Sequence, residues 1–246
     1  MNISLKAETI FNIGSFSVTN TILMSWIASL IILIVLILVS KKLKDVPSKF
    51  QSLVEVIFEG AITMMDQITG SHEKSKKFFP FVFTFFIFIL LSNWLGIVPG
   101  VGSIGISEFH NSEEVFIPLL RTANSDINIT LAFAIISVIM THIFGVITIG
   151  FFKHASKYIS FKKGLIYFFV GILELIGELA KFLSFSFRLF GNIFAGEVLL
   201  VVVAFLIPYI VPIPFLGLEL FVGLIQSLIF AMLTLVFFGM ATNKEH

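Results

Sequence analysis

Cysteine is missing from all 246 residues, which removes disulfide staples, thiolate nucleophiles and zinc–cysteine sites together. Charge is scarce too. Only 13% of residues are Asp, Glu, Lys or Arg and the net charge is +1, so no broad basic surface points to nucleic acid. Tyrosine is rare, three against 31 phenylalanines, a balance that suits lipid-facing surface. Residues 1–20 lack a basic stretch leading into a short apolar core, and they lack Arg-rich transit character. No cleavable leader is expected. No repeat or low-complexity tract divides the chain, so one membrane domain over residues 1–246 is expected. No metal-ligand or serine–histidine constellation stands out, and neither a metal nor a cofactor is expected.

What remains is apolar. Hydrophobic residues make up 57% of the chain. Mean hydropathy is +1.05, outside the soluble globular class. Residues 22–39, 78–98, 127–152, 165–207 and 215–240 each supply the run of about 20 apolar residues that a spanning helix needs. The expected fold is all-α and integral to the membrane, with five spans. Gly96, Pro99, Gly100 and Gly102 end the second, and Pro208, Pro212 and Pro214 read as the turn between the last two. At about 1.5 Å per residue the fourth segment would extend roughly 65 Å, about twice the hydrocarbon thickness. It must tilt strongly, lie partly in the membrane plane, or break.

Residues 48–70 read differently. Phe50, Leu53, Val54, Ile57, Phe58, Ala61, Met64, Met65 and Ile68 recur at helical spacing, interrupted by Lys49, Glu55, Glu59 and Asp66. Ser48 and Gln51 resemble a capping box. Two readings of this amphipathic helix stay open: it lies on the membrane or a partner, or it covers its own protein.

Lysines orient the chain. Lys41, Lys42, Lys44 and Lys49 follow the first span, Lys74, Lys76 and Lys77 precede the second, and Lys153, Lys157, Lys162 and Lys163 separate the third from the fourth. The intervening loop carries Glu108, Glu113, Glu114 and Asp126 against Arg121. Lysine-rich loops belong on the cytoplasmic side, which puts the N-terminus outside and the C-terminus inside.

Arg188 lies deep in the fourth segment, within Phe185-Ser186-Phe187-Arg188-Leu189-Phe190-Gly191-Asn192. A charge at that depth costs about 2.5–3.5 kcal/mol even on a lenient scale, and arginine does not shed its proton. No carboxylate lies three or four residues away to share a helix face with it. Measured from Glu174, Glu178 falls near +40°, Lys181 near −20°, Arg188 near −40° and Asn192 near 0°, all about one stripe. Glu197 falls near 140°, off that stripe and about 13.5 Å beyond the arginine. In the last segment Glu219 and Gln226 share a face, and Glu219 sits at a depth where Glu197 could meet it. Two polar routes, one from each side, would then approach Arg188 without joining. A pair of close carboxylates would share a proton. The plainer reading is that these charges lock helices together, with Glu174, Glu178 and Lys181 as a salt-bridge ladder.

Other polar groups stand alone in their spans. His142 reads as a relay or as a satisfied structural histidine. Ser92 and Asn93 are expected to bond neighbouring backbone. Asp126 and Asn128 read as caps of the third span that would also border an inlet. Gly191 and Gly196 would let another helix approach closely.

Three stretches resemble a known family. Ser186-Phe187-Arg188-Leu189-Phe190-Gly191-Asn192-Ile193-Phe194-Ala195-Gly196-Glu197 resembles the signature of subunit a of the F-type ATP synthase. Gln226, in Gly223-Leu224-Ile225-Gln226-Ser227-Leu228-Ile229-Phe230, resembles its second signature, and Ser125-Asp126-Ile127-Asn128-Ile129-Thr130 a third. The resemblance implies that the fourth and fifth segments form a near-horizontal hairpin against a rotating ring of c subunits, in a complex with peripheral-stalk b subunits. Such a subunit is not an enzyme on its own. It implies that Arg188 faces a carboxylate on each c subunit. Glu197, Glu219, Asn192 and Gln226 would surround the outer half-channel, and Glu174, Glu178 and Lys181 the cytoplasmic one; Asp126, Asn128 and His142 are further candidate lining. Some members carry histidine at the position of Glu219, and glutamate at both positions leaves open which group hands on the proton. The expected location is a bacterial plasma membrane, with an organellar inner membrane left open. A secondary transporter or ion channel with an intramembrane arginine site is the alternative, and such transporters usually carry an inverted repeat that this sequence lacks.

Overall fold

Apolar periodicity and caps set the helices. In the computed structural model, which describes residues 6–110, 113–158 and 165–243, α1 spans Asn20–Lys41. Thr19 opens it by accepting the Ile22 N–H at 3.4 Å. Leu30, Leu33, Ile34, Val35 and Leu36 are exposed along it, a surface suited to lipid rather than water. Helix α2, Lys49–Thr69, starts at Ser48 and stops at Gly70, whose φ of 64° needs no Cβ. The capping box forms only in part. Ser48 accepts the Gln51 N–H, but the Gln51 amide turns back to Lys44 O and to Glu55 instead of the cap. Helix α3 spans His72–Ile97.

Helix α4, Ile127–Ile149, is shorter than the apolar run. Gly150, at φ 92°, ends it, and α5, Phe151–Tyr158, begins a new direction. Phe151 and Phe152 continued the hydrophobic pattern past the break, so the expected limit at residue 152 is corrected to 149. Helix α6, Leu165–Leu206, is a single 42-residue helix, so the option of a break falls away. Helix α7 spans Pro212–Ala241. Pro212 and Pro214, read above as turn residues, belong to its first turn, where a missing N–H is not needed. The reversal is made instead by Pro208 and by Tyr209, whose φ is 80°. Lys162 and Lys163, which helped set the orientation, lie outside the described residues.

The expectation of an all-α membrane fold holds: α1, α3, α4, α6 and α7 are long and apolar enough to cross a membrane. Two antiparallel hairpins were not foreseen. Strands β1 (Thr9–Ile13) and β2 (Phe16–Thr19) turn at Gly14, with φ 63°, as tight hairpins require. Strands β3 (Gly105–His110) and β4 (Glu113–Pro118) form the second.

Helices α3, α4, α6 and α7 pack around two apolar clusters. One joins Phe78, Val82, Phe144, Leu235 and Phe238 with Met65 of α2. The other joins Phe85, Ile89, Phe185, Leu189, Ile193 and Phe230. Of the two readings of α2, covering its own protein holds for Met65 and for Phe58, whose ring lies 4.8 Å from that of Phe83. Phe50, Leu53, Val56 and Ile57 stay exposed on its first turns.

Polar groups tie the helices where hydrocarbon offers no driving force. Asn124, on a short 3-10 turn before α4, donates to Asn93 Oδ1 at 2.7 Å, and Asn93 donates to Gly223 O at 3.2 Å. Asn93 thus bonds backbone as expected, while the Ser92 hydroxyl is buried with no partner among the described residues. Ser137 meets Thr234 at 3.1 Å and Thr130 meets Ser186 at 3.0 Å. Replacing Asn124→Leu leaves Asn93 Oδ1 without a donor and should cost about 1–3 kcal/mol, read as a lower thermal midpoint of the detergent-solubilised protein.

Candidate functional site

Arg188 lies on the exposed side of α6, in a strip with Ser184, Asn192 and Ala195 at one-turn intervals. Its guanidinium donates weakly to Ser184 Oγ at 3.4 Å. Among the described residues no carboxylate forms an ion pair with it. A Cβ placed on Gly191 would meet nothing within 4 Å, so this strip is open to a close neighbour, as its glycine suggested. Gly196 serves a different end: the Glu219 carboxyl fills the space beside it, with Oε1 3.0 Å from where a Cβ would sit. One turn beyond Arg188, the Asn192 amide donates to Gln226 Oε1 at 2.9 Å, bridging α6 to a buried side chain of α7.

Toward the C-terminal half of α6 lies a charged cluster. Glu197 accepts from Arg121 Nε at 3.0 Å and from Arg121 Nη2 at 3.4 Å. Arg121 is buried, and Phe194 lies 5.9 Å from its guanidinium carbon. Glu219 is near enough to Glu197 for the two charges to interact, and its Oε2 is buried with no hydrogen-bond partner among the described residues. The expected meeting of Glu197 and Glu219 is therefore present, but Glu197 already has a cation. Glu8 completes the group from the N-terminal segment. Burial pushes its carboxyl above the usual range, and the charge of Arg121 pulls it back in part.

Toward the N-terminal half of α6 lies a cavity of about 220 Å³, lined in part by Glu174, Glu178, Lys181, His142 and His154. The three predicted charges of α6 do converge here. They are not simply a ladder along one helix: Glu178 Oε2 reaches His142 Nε2 at 3.4 Å, and the Lys181 ammonium lies 5.1 Å from the Phe237 ring centre. His142 is not alone either. Its Nδ1 lies 3.0 Å from Nε2 of His154, a buried residue of α5. That ring packs over Gly145, where a Cβ would come within 2.5 Å of it.

Asp126 and Asn128 take cap geometry. Asp126 Oδ1 accepts the Asn128 N–H at 2.9 Å, and its Oδ2 accepts the Thr21 hydroxyl at 2.9 Å. Asp126 is buried by these contacts and Asn128 is exposed. Between the charged cluster and the cavity, the rings and branched side chains of Phe185, Leu189, Ile193 and Phe230 fill the interior. From Lys181 to Glu197 is about 24 Å along α6.

Sequence reasoning passed over Arg121, Glu8 and His154. Arg121 was visible as the one cation in an acidic loop; nothing local to Glu8 or His154 marks them. Asn192→Leu and Gln226→Leu should each cost about 0.5–1.5 kcal/mol and be clearly non-additive when combined, as a double-mutant cycle of thermal unfolding would record.

Known proteins share this arrangement of sequence. The profile of the ATP synthase A chain family matches residues 22–239. The ATP synthase subunit a of Syntrophobacter fumaroxidans is 35% identical over 237 residues, which is 95% of this chain and 88% of the relative. That of Geotalea daltonii is 34% identical over 225 residues, 90% of this chain and 87% of the relative. That of Geobacter sulfurreducens is 32% identical over 225 residues, again 90% and 87%. With five membrane-length helices and a match running nearly end to end, the chain is a multi-pass membrane protein that belongs to the ATP synthase A chain family.

Proposed function

We propose that this chain is the stationary membrane subunit of a rotary ATP synthase, offering two offset aqueous half-channels to a rotating ring of c subunits. The observation that carries this reading is the state of Arg188: a permanent cation on an open strip of α6, with no acid of its own described chain to neutralise it. In hydrocarbon such a charge calls for an anion from elsewhere. A c-subunit carboxylate passing along the Ser184–Ala195 strip would supply it.

The half-channels follow from the two polar regions. In the orientation set by the lysines, the cluster of Arg121, Glu197, Glu219 and Glu8 faces the outside, and the cavity at Glu174, Glu178, Lys181 and His142 faces the cytoplasm. Protons enter at the first, neutralise a rotor carboxylate, and travel with it through lipid. They leave at the second. Arg188 holds the emptied carboxylate between the two, and its positive charge opposes a proton hopping straight across. The apolar packing of Phe185, Leu189, Ile193 and Phe230 supports that separation. Each proton crossing 100 mV contributes about 2.3 kcal/mol to rotation. Asn192 and Gln226 brace the arginine's turn of α6 against α7. The chain itself makes no ATP; the remaining subunits of the complex do, with peripheral-stalk b subunits holding this one still in a bacterial plasma membrane.

Purified gently, the chain should bring with it a stoichiometric ring of small two-helix subunits; isolation as a free monomer with intact transport would refute the assignment. Arg188→Ala and Arg188→Lys should each abolish proton-coupled ATP synthesis in membrane vesicles, and wild-type coupling in either would remove the arginine from the mechanism.

A further inference from the structure

The charged cluster holds two carboxyls, Glu197 and Glu219, at the depth where a proton must reach the rotor, and their hydrogen bonding is unequal. Arg121 Nε lies 3.0 Å and 3.4 Å from the two oxygens of Glu197, and Nη2 lies 3.4 Å from Oε2. Both oxygens of Glu197 therefore accept from one cation. Arg121 is itself 7% exposed, so little water could replace its partner. A proton placed on Glu197 would break a charge-assisted fork and strand a guanidinium that cannot lose its own charge.

Glu219 is different. Its Oε2 is buried and receives no donor among the described residues, while its other oxygen rests against the bare backbone at Gly196. Adding a proton there breaks no hydrogen bond. The same face of α7 carries Gln226 about two turns inward, bonded to Asn192 one turn from Arg188. Polar groups thus lead from Glu219 toward the arginine.

We infer that Arg121 is a positioning residue that holds Glu197 as a fixed carboxylate, and that Glu219 is the group which passes protons to the rotor. This rests on the stator reading and refines it. Glu219 accepts a proton from water at the mouth, becomes neutral, delivers the proton to the ionised rotor carboxylate and returns to its charged form. Glu197 stays ionised throughout. Its task is to keep Arg121 occupied, because Glu8 also feels the charge of Arg121 and Glu219 is a direct neighbour of Glu197. An Arg121 released from Glu197 would seize Glu219 and stop the relay.

The test uses the whole ATP synthase in vesicles, with ATP-driven proton pumping compared at equal amounts of assembled complex. Glu219→Gln should lower flux about a hundredfold, as loss of a positioned proton-transfer group does. Glu197→Gln should also slow it, and Arg121→Gln added to Glu197→Gln should restore most of the loss. The double variant removes both charges of the pair together, so it keeps the comparison available should Arg121→Gln alone fail to assemble. Where Arg121→Gln does assemble, its flux-versus-pH profile should change shape because the Glu197 carboxyl has lost its cation and competes for the proton of Glu219; an effect of packing alone would scale every pH equally. A double variant no faster than Glu197→Gln, a pH profile in Arg121→Gln that keeps its shape and is merely scaled, or wild-type flux in Glu219→Gln overturns the inference. Arg188→Ala run beside them separates the two levels: if it uncouples while the rescue fails, only the assignment of Glu219 and Arg121 falls.

Discussion

An arginine in hydrocarbon needs a counter-charge, and the described residues offer Arg188 none. Three other embedded charges have company: Glu197 has Arg121, Glu178 has His142, and Lys181 lies over an aromatic ring. Arg188 has a single weak bond to a hydroxyl. Since guanidinium cannot go neutral, that deficit among the described residues is not relieved by loss of a proton. The membrane position, the open strip of small residues around it and the separation of the polar regions all acquire a reason once the missing anion is placed on a neighbour that moves.

The rest of the fold serves to hold that helix in place. Lipid gives apolar helices no cause to associate, so the bundle relies on interlocked phenylalanines and on buried amides and hydroxyls. Asn93, Asn124 and Gly223 join three elements at one level; Thr130 with Ser186 and Ser137 with Thr234 join others. On α6 itself, Ser186 is buried on the face away from the open strip, and on the strip Asn192 reaches Gln226 of α7.

Much of this was legible in the sequence, because its signals are local or periodic. Apolar length gave the spans, Asp126 announced the start of α4, and helical angles placed Glu174, Glu178 and Lys181 on one stripe that the structure gathers around one cavity. What stayed hidden depends on meetings between distant segments. Arg121 and Glu197 are far apart in the chain, and so are His142 and His154 relative to a helical turn. No periodicity reports such encounters. The bend at Gly150 was masked for another reason: hydrophobic residues continue through it, and apolar pattern records surroundings rather than direction. The two hairpins escaped because short strands at a membrane edge carry weak alternation, although Gly14 marked one turn.

Helix α6 runs from Leu165 to Leu206 without interruption. A continuous helix behaves as a ruler and as a beam. As a ruler it keeps the cluster at Glu197 and the cavity at Glu174, Glu178 and Lys181 at a constant spacing set by covalent geometry and not by loop motion; on the proposed stator reading, that spacing sets the arc a rotor sweeps. As a beam it has no break in its hydrogen-bonded ladder to act as a hinge; on the same proposed reading, the sideways push of each step passes to its ends and to the helices packed against it, and elastic give resides in other parts of the machine.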